Sequence, residues 1–235
     1  MYNKSSIVIN ANSFEKSVQA KERIGGRTVS IYGNYYNTMC AIMQQLVQTI
    51  EAYNREREEA TGKKLFEHLN YRIKSEENTK AKLEKNGFEI STYNALRSMT
   101  DAIGLRIVCL FIDDVYETAA FIKTLPGCTV VKEKDYIRNA KPNGYRSYHM
   151  ILDITAPAED PDGNTPGHFF AELQLRTIAM DTWAALEHEL KYKKNIANQQ
   201  LIVSQLHRCA NELAACDVSM QTLRNIIREE SGRQL

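Results

Sequence analysis

Residues 171–177 constrain this chain more tightly than any other stretch. Glu172, Gln174 and Arg176 alternate with Leu173 and Leu175, and a period of two puts the first set on one face of a strand and the second on the other. One face packs while the other presents polar atoms that need a partner. Upstream, Lys141-Pro142-Asn143-Gly144-Tyr145-Arg146-Ser147-Tyr148-His149 begins with a Pro-Asn-Gly turn, where glycine supplies positive φ and asparagine tolerates it. It runs straight into a β-type sequence carrying an aromatic ring, a guanidinium and an imidazole. Between the two lies a turn-rich loop, residues 155–168, with Pro157, Pro161, Gly163, Pro166 and Gly167. Strands are therefore expected over 147–154 and 168–175, with His149 and Glu172 in one sheet.

The remaining elements follow from periodicity and punctuation. Met39, Met43, Leu46, Ile50 and Tyr53 recur at four-then-three spacing, one face of an amphipathic helix over about 34–57, and Gly62 ends it or the loop beyond. Residues 66–74 read as a short strand whose end delivers Arg72 and Lys74 on one side. A helix bearing Lys80, Lys82 and Lys85 then stops near Asn86-Gly87. A buried strand is expected from the apolar run Ile107 to Ile112, with Asp101 just before it and Arg106 in its first half. A helix over 113–124 carries acids at its positive end, and a strand follows near 129–132. Thr177 suits an N-cap. The stripe Ala179, Trp183, Leu186 and Leu190 marks a helix in which Trp183 is core. Finally Ile202, Leu206, Cys209, Leu213, Cys216, Met220, Leu223 and Ile227 keep strict four-three spacing, a seam that wants another helix, either the first long helix or a second subunit.

Composition sets the outer limits. A chain of 235 residues, 43% hydrophobic and 25% charged, has room for one globular domain with appendages. No apolar run approaches the roughly 20 residues of a membrane span, so a soluble, cytoplasmic protein with no membrane partner is expected. The net charge of +1 excludes a dedicated nucleic-acid coat, and RNA binding is not indicated. Cations nevertheless cluster over 72–85 and 132–149, as in a pocket for a small polyanion. The five cysteines lack C-x-x-C spacing and read as free thiols. His188-Glu189 has Tyr192 where a zinc protease needs its second histidine. No Gly-x-x-x-x-Gly-Lys-Ser/Thr loop occurs. Any nucleotide must then be held by side-chain cations and carboxylate-bound magnesium, which takes one or two carboxylates plus phosphate oxygens.

The run K-P-N-G-Y-R-S-x-H followed by E-x-Q-x-R-T resembles the synthetase domain of the RelA/SpoT family, which makes the alarmones ppGpp and pppGpp. The continuation from Thr177 to Lys193 resembles its single-domain members, the small alarmone synthetases. The resemblance implies an α/β (α+β) fold of the nucleotidyltransferase-like synthetase type, a mixed sheet of about five strands flanked by helices, with long helices at both ends. It implies transfer of the β,γ-pyrophosphate of ATP to the 3′-hydroxyl of GDP or GTP, with Mg2+ as cofactor. On that pattern Arg72 and Arg106 sandwich adenine, while Lys74, Lys82 and Lys85 meet the ATP phosphates. Asp101 and Glu172 hold the metal, and Glu172 is also the base. Gln174 positions the acceptor, Tyr145 stacks on guanine, Asn143 reads its edge, and Lys141 and His149 meet acceptor phosphates or developing charge. Arg146 serves either the phosphates or the sheet.

Three regions are expected: an unassigned arm over 1–34, the synthetase domain over 35–195, and a terminal helix over 196–235 for assembly or core packing. The resemblance also implies a homotetramer. Two alternatives stay open at this point. One is a toxic relative acting on adenine nucleotides or the tRNA 3′ end, the other a catalytically silent nucleotide or RNA sensor.

Overall fold

A computed structural model describes residues 30–191 and 198–232. Five strands form one sheet: β1 (Phe66–Ile73), β2 (Ile103–Cys109), β3 (Cys128–Asp135), β4 (Tyr148–Ala156) and β5 (Gly167–Thr177). Their spatial order is β1-β2-β5-β4-β3. Only β2 and β5 run parallel; the other neighbours are antiparallel. The helices are α1 (Tyr36–Thr61), α2 (Glu76–Lys85), α3 (Thr92–Arg97), α4 (Ile112–Ile122), α5 (Ile178–Lys191) and α6 (Gln199–Gly232). The mixed five-stranded α/β architecture read from the sequence is the one observed.

One face of the sheet is the core. Ile103, Leu105 and Ile107 of β2, Met150, Leu152 and Ile154 of β4, and Ala171, Leu173 and Leu175 of β5 are buried. They share a single cluster with Ile42, Leu46 and Ile50 of α1 and Val115, Ala119 and Ile122 of α4. Burying side chains of this size stabilises by about 1.5–3 kcal/mol each, so this face fixes the strand register. The opposite face is thereby committed to the intervening residues: Gly104 and Arg106, His149, and Glu172, Gln174 and Arg176.

Several boundaries differ from expectation, each for a local reason. The second strand begins at Ile103 and ends at Cys109, not over 107–112, because the alternation Ile103, Leu105, Ile107 already faces the core. Leu110 is exposed and Ile112 opens α4. Ile31 and Tyr32, assigned to the arm, are buried in the core, and the Tyr32 hydroxyl lies 2.7 Å from that of Thr79 and donates to the Lys74 carbonyl at 2.9 Å. The packed domain thus starts before residue 35. Residues 1–29 of the arm, the boundary at 195/196 and Tyr192 and Lys193 lie outside the described residues.

Short α3 has no periodic signature in the sequence. It delivers Arg97, which lies 2.8 Å from the buried carboxylate of Asp160. That carboxylate also accepts the backbone N–H groups of Asp162, Asn164 and His168, ordering the hairpin loop.

Other expectations hold: Gly62 ends α1 with φ +66°, Asn86 caps α2, and Thr177 Oγ1 accepts the Met180 N–H at 3.2 Å. Trp183 is buried, its indole donating to the Leu206 carbonyl at 2.7 Å. All five cysteines are free.

The terminal helix does not lay its expected seam on the first long helix. Its contacts are chiefly with α5 and α4 rather than α1. The packed stripe runs through Ala210, Asp217 and Arg224, where the Asp217 carboxylate accepts the Thr177 hydroxyl and Arg224 grips buried Asp114 at 2.6 and 2.7 Å. Cys209, Cys216, Met220, Leu223 and Ile227 of the predicted seam face outward. Polar anchors, unrecognisable from hydrophobic spacing, rotate the helix on its bed.

Candidate active site

The open face of the sheet brings five strands into one row. Asn70, Arg106, Gln174, His149 and Lys134 are successive cross-strand partners, and Arg72, Gly104 and Glu172 form the adjacent row. A cleft of about 150 Å³ lies over them, lined among others by Arg72, Asp101, Gly104, Arg106, Glu172 and Gln174. Arg72 and Arg106, far apart in sequence, thus share one cavity with both candidate carboxylates.

Asp101 sits just before β2. Its Oδ2 accepts from Lys74 Nζ, at the end of β1, and from Lys82 Nζ, in the last turn of α2, each at 2.7 Å. Burial pushes the Asp101 carboxyl up, but the two ammonium groups outweigh that and hold it below the ordinary carboxylate value. Its Oδ1 is buried without a hydrogen-bond partner. Such an orphaned carboxylate oxygen, sharing a cleft with Glu172, fits a hard cation that completes its shell with phosphate oxygens. Among the described residues no cluster of three or more His, Cys, Asp or Glu is arranged to hold a metal by itself. Lys85 is exposed one turn beyond Lys82 and does not line the cleft.

Glu172 is flanked on both sides. Oε1 lies 3.4 Å from His149 Nδ1, and Oε2 accepts from Gln174 Nε2 at 3.3 Å. Burial raises this carboxyl; the His149 contact, assisted by Gln174 and opposed by the charge of Asp101, brings it below its ordinary value. Glu172 is consequently an ionised carboxylate near neutrality.

Next to it lies an aromatic cluster. The Tyr145 hydroxyl is 2.8 Å from His149 Nε2 and accepts from Arg176 Nη2 at 2.7 Å. The Lys141 ammonium stands 4.6 Å from the ring centroids of both Tyr136 and Tyr145. Gly144 makes the turn with φ +91°, and a Cβ there would sit 2.5 Å from that of Ala210 on α6. Only glycine suits the position.

Two predicted contacts are redirected. Asn143 does not offer a free amide: Nδ2 donates to Glu187 at 3.0 Å and Oδ1 accepts the Tyr145 N–H at 3.2 Å. Arg146 turns to α6, donating to the Ala210 carbonyl and to Asn211 at 3.2 and 3.3 Å. Both shape the loop because tertiary neighbours claim their polar atoms.

Sequence reading missed Arg176 as a hub, along with Asp181 and Tyr136. Arg176 had a signal, since it continues the Glu172–Gln174 face. Asp181 had none, lying in an ordinary helical run.

The polar face of this mixed sheet gathers two carboxylates, several cations and an aromatic cluster into one side-chain-built cleft. The profile described as a region found in RelA/SpoT proteins matches residues 71–197, more than half of the chain, and the chain belongs to that family. Among curated proteins it is 42% identical to the GTP pyrophosphokinase YwaC of Bacillus subtilis over 134 residues, 57% of this chain and 62% of that protein. It is 33% identical to the GTP pyrophosphokinase YjbM of the same organism over 147 residues, 63% of this chain and 68% of that one. The match thus spans under two thirds of the first relative and just over two thirds of the second.

Among solved structures, small alarmone synthetase 1 of Bacillus subtilis bound to its product pppGpp superposes with a TM-score of 0.70. The identity is 27%, over 81% of this chain and 94% of that one. Small alarmone synthetase 2 of the same organism gives 0.66 at 33% identity, over 78% and 93%.

Proposed function

We propose that this protein is a (p)ppGpp synthetase of the stringent response. It transfers the β,γ-pyrophosphate of ATP to the 3′-hydroxyl of GDP or GTP and releases AMP. The observation that carries this reading is Glu172: an ionised carboxylate at the junction between a cationic cleft and an aromatic cluster, reachable from both. In-line transfer of this kind is chiefly a matter of alignment and charge neutralisation, plus a base for the hydroxyl proton.

On the donor side Arg72 and Arg106 face the adenine, and Lys74 and Lys82 take the phosphates. Lys85 adds charge at the rim. Asp101 and Glu172 would hold Mg2+, which supplies charge neutralisation on the polyphosphate. On the acceptor side Tyr145 offers its ring to guanine, with Tyr136 beside it and Lys141 for acceptor phosphates. Gln174 orients the acceptor ribose. Glu172 takes the 3′-hydroxyl proton as that oxygen bonds to the β-phosphorus, and the bond from the β-phosphorus to the α,β-bridging oxygen breaks, leaving AMP. His149 steadies the carboxylate that receives the proton.

Assembly belongs to the same proposal. Met220, Leu223 and Ile227 on α6 are each more than half exposed, an apolar ridge suited to a homotetramer. No helix among the described residues is long and apolar enough to cross a membrane, and the substrates are those of the cytoplasm.

The test is incubation of the purified protein with γ-labelled ATP and, separately, GDP, GTP, GMP, ATP and tRNA. Label in a guanosine 3′-pyrophosphate with equimolar AMP is expected. Label only in tRNA or an adenine nucleotide, or no transfer at all, would overturn it in favour of a toxic relative or a silent sensor.

A further inference from the structure

The turn that carries Lys141 and Tyr145 is closed on itself. The Lys141 carbonyl accepts the Gly144 N–H at 2.8 Å, and the Lys141 N–H donates to the Tyr145 carbonyl at 3.1 Å. Bonded in both directions, the five residues move as one body. Whatever seats that body against the rest of the protein therefore places both the Tyr145 ring and the ammonium beside it. The tip of Tyr145 is held separately by Arg176, which donates to its hydroxyl at 2.7 Å and to Gln174 Oε1 and Asp181 Oδ1, each at 2.9 Å. The reaction as written gives Arg146 and α6 nothing to do.

Three contacts close a triangle around the turn. Asn143 donates to Glu187 on α5 at 3.0 Å, and the Trp183 indole, also on α5, donates to the Leu206 carbonyl of α6 at 2.7 Å. Arg146 completes it: Nη1 donates to the Ala210 carbonyl at 3.2 Å and Nη2 to Asn211 Oδ1 at 3.3 Å, while Nη1 also meets the Gly144 carbonyl of its own turn at 3.2 Å. Leu206 and Ala210 are one helical turn apart, so one face of α6 takes a tether from α5 and a tether from the acceptor turn. Between them backbone meets backbone closely. A Cβ on Gly144 would lie 2.5 Å from that of Ala210 and 3.7 Å from His207 Cα, and Ala210 is only 4% exposed. Among the described residues, none that lines the donor cleft belongs to α6.

We infer that α6 is a structural part of the acceptor site, with Arg146 and Ala210 as positioning residues that seat the Lys141–Tyr145 turn and so set guanine-nucleotide affinity without touching the nucleotide. Arg146 selects the seat because a planar guanidinium forks between fixed acceptors, here two on α6 and one on the turn; a lysine offers a point charge and no fork. Ala210 permits it, being small enough for the Gly144 backbone to close on the helix. The naming of the ligand rests on the synthetase reading; the seat on α6 does not.

The experiment uses full-length protein and reads binding apart from transfer. Calorimetric titration with GDP and, separately, with α,β-methylene-ATP and Mg2+ compares wild type with Arg146→Met, which keeps an unbranched side chain and loses the donors, and with Arg146→Lys. Arg146→Met is expected to weaken GDP on the order of 10-fold, the scale of one charge-assisted hydrogen bond, while the ATP analogue changes by less than about twofold. Arg146→Lys should fall between wild type and Arg146→Met. Without ligand, the amides of residues 141–146 should exchange hydrogen on the order of 10-fold faster in Arg146→Met, with protection of β5 unchanged. Should Arg146→Met fail to fold by circular dichroism, Asn211→Ala, at an exposed position of α6, removes one acceptor and is expected to weaken GDP severalfold and leave the ATP analogue unaffected. Equal weakening of both nucleotides, unchanged GDP affinity in the folded variant, wild-type exchange over 141–146 in folded Arg146→Met, or a wild type that binds no GDP would overturn the inference. Failure of the synthetase reading shows differently, as a wild type that binds GDP and transfers no label to it.

Discussion

The two ends of the cleft are held by different physics. At the donor end two lysines converge on one oxygen of Asp101, and Arg106 keeps a side chain that is 39% exposed. Ion pairs of this kind are strong only through local charge and adjust readily, so on the proposed function an incoming polyphosphate would compete with Asp101 for Lys74 and Lys82. At the acceptor end the partners are directional and distant in sequence: Arg176 with Tyr145, Asn143 with Glu187, and Arg146 with Ala210, separated by 31, 44 and 64 residues. Such a network, once every member is satisfied, defines one geometry before any ligand arrives. A charge-rich pocket tolerates approximate placement, whereas the alignment of an acceptor hydroxyl against its base does not.

The sharpest way to break this contrast is at the point where the ends meet. Glu172→Gln keeps the side-chain volume and is expected to lower kcat by about 10²–10⁴-fold with an unchanged circular dichroism spectrum. Retention of more than about a tenth of wild-type turnover, set against that range, would remove Glu172 from the role of base.

A smaller effect separates ring from hydroxyl. Loss of a stacking face worth about 1–3 kcal/mol should raise the guanine-nucleotide KM of Tyr145→Ala on the order of 10- to 100-fold, with less effect on ATP. The ring alone would make Tyr145→Phe neutral. The observed bonds to His149 and Arg176 predict instead a several-fold fall in kcat, of the size of a hydrogen bond of about 1 kcal/mol. Equal weakening of both nucleotides by the alanine variant would make the ring structural.

Acid titration probes the other end. Asp101 and Glu172 have folded-state pKa values below their ordinary ones, so their contribution to stability is present above about pH 4–5 and is lost as pH falls through the lowered values. Urea midpoints should drop on acidification below that point, and less steeply in Asp101→Asn. An identical slope in the variant would mean that the Lys74–Asp101–Lys82 cluster contributes nothing to the fold.

The smallest effect on the fold is expected on the outer ridge of α6. Met220→Glu should leave circular dichroism intact and shift light scattering from a tetramer to a smaller species, because a carboxylate buried between subunits costs several kcal/mol. Leu213, of the same apolar spacing, is half-buried against α5 within the subunit, so a charge there would report on the fold instead. A wild-type monomer at micromolar concentration would refute the assembly.

By itself the sequence determined the strand pair, the single sheet that holds both His149 and Glu172, the lysine-bearing helix and the cationic character of the donor end. These rest on short-range alternation, spacing and turn chemistry, which act within a few residues along the chain. Only the tertiary structure decided that Arg176 is a buried hub rather than a surface charge, and that Asn143 and Arg146 are hydrogen-bonded to Glu187 and to α6. It also decided that α6 beds down on Ala210, Asp217 and Arg224 instead of its regular apolar seam. A polar side chain's role depends on which distant atom takes its hydrogen bond, and burial makes that choice compulsory. Local pattern carries no record of an acceptor 64 residues away.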